Sequence, residues 1–199
     1  MKTTIVLILA CAATAVLMGQ RAADPAGPAG PEFKADNQLA MPTNYREWIF
    51  LSSGLGMTYG PVAEANPGRT PMFDNVFVNP AAYRAFLQSG KWPEKTMFVL
   101  EVRSSISKGS INNGGNYQSD VVAVEAEVKD SSRFAGGWAF YAFGKTSAST
   151  PLPKTARCYS CHSEKGAVDN TFVQFYPTLL KVAKEKGTLT PAYASADGH

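Results

Sequence analysis

Apolar and polar positions along this chain change period several times, and each change marks an element. Tyr45, Trp48, Ile49 and Ser52 share one helical stripe, with Asn44 as a cap and Glu47 as its reciprocal partner. That pattern predicts a short helix over about 44–53. Ser53-Gly54-Leu55-Gly56 breaks it, and 57–71 reads as a loop around Gly60-Pro61 and Pro67-Gly68. Phe73 to Val78 reads as a strand. Asn79 then caps a second helix, with Pro80 first, Tyr83, Phe86 and Leu87 as its apolar face and Gly90 as its stop. Thr96 to Val102 and Asp120 to Val128 are rich in strand formers and flank the loop-forming run Asn112 to Asn116, so they predict an antiparallel hairpin. Within it Glu101 and Glu127 are expected to face solvent. Ser131 to Phe134 reads as a helical turn, Trp138 to Phe143 as a third apolar strand, and 145–154 as a Ser/Thr/Pro loop. Phe172, Phe175, Tyr176, Leu179, Leu180 and Ala183 form a last helical stripe. Pro177 kinks that helix or starts a second segment, Gly187 ends it, and its lysines form a solvated face.

Two stretches ahead of these elements do not join the pattern. Lys2 followed by the apolar run Ile5 to Met18 has the layout of an export signal, placed over 1–23, with cleavage near Gly19, Ala22 or Ala23. The run is also near the lower length for a spanning helix, so an uncleaved membrane anchor is the alternative. Cys11 lies inside it after Ile8-Leu9-Ala10. The apolar stretch ahead of it is too short for a convincing lipoprotein site, which leaves it as a signal-peptide cysteine. Asp24-Pro25-Ala26-Gly27-Pro28 opens a Pro/Ala/Gly-rich segment read as a flexible linker over 24–38. One domain follows over 39–190, then a tail over 191–199. About 175 residues without the leader are enough for a full core. Lys2 and Arg21 supply two of the formal +3 charges, so the remainder implies neither nucleic acid nor an anionic membrane surface.

The chemistry concentrates in Cys158-Tyr159-Ser160-Cys161-His162. This is the C-x-x-C-H spacing of covalent haem c attachment. Positions i, i+3 and i+4 share a helix face, so Cys158 and Cys161 can form two thioethers while His162 ligates the iron. The other nitrogen of that imidazole requires an acceptor that the sequence does not name. A structural zinc would need two further ligands, and only Cys11 and His199 remain. A redox dithiol or a simple disulfide leaves the adjacent histidine without a purpose. Export agrees with haem attachment, because an oxidising compartment suits a mature chain whose two cysteines are both consumed. The motif follows a run of strands rather than opening the chain, and no methionine follows Cys161. Both features separate it from small electron-transfer cytochromes, and the apolar strands separate it from helical cytochromes.

Several segments together resemble the cytochrome P-460 family, whose β-rich branch includes the cytochromes c-prime-beta. They are Pro42 to Trp48, Phe77 to Tyr83, Val128 to Phe134, Gly137 to Tyr141, and the haem motif followed by Phe172 to Pro177. The resemblance spans roughly 39–186. It implies an α+β fold, a mostly antiparallel β-sheet with flanking helices and a C-terminal haem-binding helix. It also implies a homodimer and one five-coordinate haem c with an open distal side. Family members of the cytochrome P-460 type oxidise hydroxylamine, bind nitric oxide and cross-link a strand lysine to the porphyrin. That lysine's place is taken here by Leu100, with Lys91 and Lys95 in the preceding turn, and the family's distal arginine falls on Asp74. Both departures point to an apolar, unlinked site. Strand alternation puts Phe98 and Val102 on the face of Leu100, and Phe73 and Phe77 are candidates for an aromatic cap. Glu125 matches an acidic position of the family and is, with Asp74, a candidate catalytic acid or base, its alternative being an outward-facing strand glutamate.

Three functions remain in competition. The first is a periplasmic haem protein binding nitric oxide or carbon monoxide, with apolar walls leaving the sixth iron position free. The second is a hydroxylamine or nitric-oxide oxidoreductase or a peroxidase-like enzyme, using Asp74 or Glu125. The third is an electron carrier serving a redox partner protein, with Met57, Met72 or Met97 as sixth ligand, although methionines more often fill gaps in packing.

Overall fold

A computed structural model of the protein describes residues 30–59 and 70–196. The leader with Cys11, the first part of the linker, the middle of the 57–71 loop and His199 lie outside the described residues. The strands are β1 (Leu39–Ala40), β2 (Ile49–Leu55), β3 (Phe73–Val78), β4 (Met97–Ile106), β5 (Tyr117–Lys129), β6 (Trp138–Ala142) and β7 (Ala148–Ser149). The helices are α1 (Pro80–Ser89), α2 (Arg157–Lys165), α3 (Pro177–Lys186) and α4 (Pro191–Ala196). Strands β2-β3-β4-β5-β6 form one five-stranded sheet in chain order, and β1 pairs with β7 apart from it. Every pairing is antiparallel. The fold is α+β, an antiparallel sheet with flanking helices.

Register sorts the side chains into two layers. Phe50, Phe77, Val99, Ala126 and Tyr141 lie in one cross-strand row. Val78, Phe98, Glu127 and Phe140 lie in a neighbouring row on the other face. The first face carries a core with Tyr45, Trp48, Met97, Val128 and Phe143. The second carries the helices, with Ala82 and Phe86 of α1 and Leu179 and Ala183 of α3 packed among Trp92, Phe98 and Trp138.

The expected helix at 44–53 is instead a single 3-10 turn, Tyr45–Glu47, followed by β2. Asn44 makes no capping bond with its side chain. Ile49-Phe50-Leu51 are strand formers, and pairing with β3 overrides the local stripe. A bulge between Phe50 and Ser52 shifts the register there. Asn79 occupies the N-cap position of α1, but its side chain is spent on β4, accepting from Met97 N at 2.8 Å. Gly90 ends α1 at φ 69°, a left-handed conformation that suits glycine.

Residues 30–38 are packed rather than a loose linker. Phe33 lies 5.9 Å from the Phe134 ring, Ala40 N donates to Glu32 O at 2.9 Å, and Tyr141 Oη donates to Asn37 O at 3.1 Å. Of the residues expected as a tail, 191–196 form α4, whose Tyr193 packs on the helical core. Within the expected 145–154 loop, β7 pairs with β1. Pro177 starts a new helix after a 3-10 turn at Val173–Phe175, because its ring cannot continue the preceding one.

Candidate functional site

Helix α2 presents Cys158, Cys161 and His162 on one face to a cavity of about 370 Å³. The sheet supplies the opposite wall through Val76, Phe98, Leu100 and Phe140, and the segment before α3 closes one side with Phe172 and Tyr176. The helix itself buries no residue fully. Its hold on the sheet runs through ring contacts: Tyr159 on Phe140 at 4.8 Å, and His162 on Phe140 at 4.5 Å and on Phe172 at 4.2 Å.

The imidazole of His162 is oriented by a tight loop. Its Nδ1 lies 2.8 Å from the carbonyl of Asn170, which leaves Nε2 as the nitrogen free for a ligand. Asp169 and Asn170 both hold positive φ, 47° and 62°, a conformation costly for residues with a side chain. Several bonds hold them there. Thr171 N donates to Val168 O at 2.8 Å, Trp92 Nε1 donates to Thr171 Oγ1 at 2.9 Å, and Lys129 Nζ bonds Asp169 at 2.5 Å. Gly166 lets the loop approach, since a Cβ there would lie 2.8 Å from the backbone of Asn170 and Thr171. A second oxygen, Glu127 Oε2, lies 3.0 Å from the same Nδ1. It is buried and makes no directed hydrogen bond within the described residues. Burial lowers the proton affinity of His162, but the charge of Glu127 and the two acceptors outweigh it, and the net direction is upward. Burial pushes the Cys158 thiol up.

Asp74 and Glu125 both line the cavity. Burial raises the carboxyl of Asp74. It raises that of Glu125 too, with the charge of Asp74 adding to it. Glu125 is an exposed strand glutamate, as its alternative reading had it, and it stands on the wall of the cavity. Leu100 and Phe98 line the cavity; Val102 shares their face but does not reach it. Phe73 and Phe77 do not cap it. They alternate with Asp74 and Val76 along β3 and project from the reverse face, where Phe77 packs on Tyr45 at 5.6 Å. Lys95 pairs with Asp130, away from the cavity. Of the three methionines, Met57 lines the cavity, packed over Gly54 with Tyr59 Oη 3.6 Å from its sulfur. Met97 is buried in the reverse-face core, and Met72 is not part of the cavity wall.

Glu101 and Glu127, expected in solvent, are both buried. Glu101 sits on the reverse face, where Tyr45, Arg46 and Arg103 all donate to it. The sequence reading missed Glu127 and Asn170 as partners of His162. A signal existed for the first, since Glu127 is two residues from Glu125 and so shares its face. None existed for the second, because its contribution is a backbone carbonyl.

The chemistry of these donors suits an iron porphyrin. Two thiols one helical turn apart and an imidazole with one nitrogen fixed face a largely apolar cleft. Fold and site together define a haem protein of the cytochrome kind. The chain belongs to the cytochrome P-460 family, whose family model matches residues 42–173. No curated protein matches the chain.

Proposed function

We propose that the protein is an exported cytochrome carrying a single covalent haem c, with an iron site that binds small neutral ligands such as nitric oxide or carbon monoxide. The observation that carries this reading is the convergence of Cys158, Cys161 and His162 on one apolar cavity, with His162 Nδ1 already committed at 2.8 Å to Asn170. When bound, such a haem supplies an iron centre able to take up a diatomic ligand and to exchange an electron. The protein's part is to fix and surround it. The thiols of Cys158 and Cys161 would hold it as thioethers at its vinyl groups, and His162 Nε2 would ligate its iron. Leu100, Phe98 and Val76 form walls with no hydrogen-bonding group in their side chains, which disfavours water. Leu100 also lacks the amine that a cross-link would require.

One observation favours a second reading, turnover of hydroxylamine or nitric oxide. Asp74 and Glu125 are carboxyls at the cavity with raised proton affinity, as a general acid requires. Met57 supports the electron-carrier reading only if its thioether leaves Gly54 and Tyr59 for the iron.

The visible spectrum of the ferrous protein tests all three. The expected result is a high-spin, five-coordinate Soret band that shifts on adding carbon monoxide, with haem that resists acid–acetone extraction. Low-spin six-coordinate bands in the resting protein would overturn the reading in favour of the carrier. Extractable haem would refute covalent attachment, and a strongly red-shifted Soret band would reveal a cross-link elsewhere than Leu100. Hydroxylamine with an artificial electron acceptor then separates binding from turnover.

A further inference from the structure

With Nε2 given to the iron, the proton of the His162 imidazole sits on Nδ1, and two oxygens lie within reach of it. Asn170 O stands at 2.8 Å and Glu127 Oε2 at 3.0 Å. The two acceptors differ in kind. One is a neutral carbonyl on a clamped left-handed loop; the other is a carboxylate on the rigid sheet. Glu127 is 8% exposed, and its Oε2 has no directed hydrogen bond among the described residues. A carboxylate oxygen in that condition is costly. The lysine two residues along, Lys129, does not relieve it, since its amino group is held by Trp92 O at 2.9 Å and Asp169 at 2.5 Å. Among the described residues, the ion-pair partner of this carboxylate is His162.

We infer that Glu127 is a positioning residue for the iron ligand, a second and anionic acceptor that shares the Nδ1 proton of His162 with the Asn170 carbonyl and sets the donor strength of Nε2. The division of labour follows from the geometry. The Asn170 carbonyl, on a loop braced by Trp92, Thr171 and Lys129, fixes the orientation of the ring. The Glu127 carboxylate draws the proton away from Nδ1, and the electron density this leaves on the ring strengthens Nε2 as a donor. A stronger proximal donor favours ferric over ferrous iron and stiffens the iron–histidine bond. The inference rests on the haem reading above and extends it from which atoms ligate to how their electronics are tuned.

The test compares haem-loaded wild type with Glu127→Gln, Glu127→Asp and Glu125→Gln by redox titration and by resonance Raman of the ferrous iron–histidine stretch. Glu127→Gln is expected to raise the midpoint potential by about tenfold in the redox equilibrium, ~59 mV for one electron, and to lower the stretching frequency. Glu127→Asp keeps the charge but withdraws the oxygen, and is expected to lower the frequency with a smaller rise in potential. It serves as the test should the glutamine variant fail to fold. Glu125→Gln removes a charge from the same cavity wall, and is expected to leave the frequency unchanged. Unshifted frequency and potential in both Glu127 variants would overturn the inference, as would an equal frequency shift in Glu125→Gln. Wild type without haem would overturn the proposed function itself, an outcome visible before any variant is compared.

Discussion

Three glutamates on neighbouring strands have three fates, and single atoms decide each. Glu101 is 2% exposed on the reverse face of the sheet and accepts from Tyr45, Arg46, Arg103 and Asn75. Burial would raise its carboxyl, but the hydrogen bonds from Arg103, Tyr45 and Arg46 win and bring it from 4.5 to about 2. The folded value lies below the unfolded one, so its stabilisation is complete above about pH 4.5 and is lost as pH falls towards 2. Glu101→Gln is therefore expected to lower stability by about 3 kcal/mol at pH 7, with the gap to wild type closing towards pH 2. Urea unfolding across that range measures it. A gap that stays constant with pH would show that the loss comes from packing rather than charge. Glu125 opens on the cavity, and Glu127 stands against His162. Sequence alternation alone places Glu125 and Glu127 on one face and Glu101 on a separate strand. It does not say which faces are covered, and that is why two of the three were expected in solvent.

Elements with strong local punctuation were legible. Pro80 and Gly90 bound α1, Pro177 and Gly187 bound α3, and the hairpin of β4 and β5 follows from two runs of strand formers around a glycine-asparagine loop. What failed were elements whose state depends on a distant partner. β2 is a strand because β3 lies beside it, and residues 30–38 are ordered because Phe134 and Arg133 receive Phe33. The site was legible where side chains recur at a fixed spacing, as in Cys158, Cys161 and His162, which the structure brings to one cavity. It was illegible where a backbone carbonyl acts, as at Asn170. α2 holds to the fold thinly, since it buries nothing fully and leans on two rings of the sheet and loop. In a Cys158→Ala/Cys161→Ala variant, amide exchange over 157–165 is expected to quicken by about tenfold or more, while β4 and β5 keep their protection. Hydrogen-exchange mass spectrometry reads both regions in one experiment. Uniform quickening across the chain would show instead that the attachment supports the whole domain.

At the scale of the molecule, the sheet separates two jobs. Its reverse face holds an apolar core beside the Glu101 network, while the other face divides between the α1–α3 packing and the cavity. Leu179, fully buried in the helical core, and Leu100, on the cavity wall, make the same residue type report on different jobs. Leu179→Ala is expected to cost roughly 3 kcal/mol. Leu100→Ala is expected to cost about 1 kcal/mol or less while changing the release rate of carbon monoxide from the ferrous protein. Thermal unfolding paired with flash photolysis distinguishes them. Equal losses of stability would show that the cavity wall also carries the fold.

The alternation along β4 has a consequence for descent. Met97, Val99 and Glu101 look one way while Phe98 and Leu100 look the other. A lineage using such a strand can exchange the residues that greet a guest molecule without disturbing those that keep the chain folded. Divergent appetites for small molecules can then arise one substitution at a time, on a scaffold that every generation inherits intact.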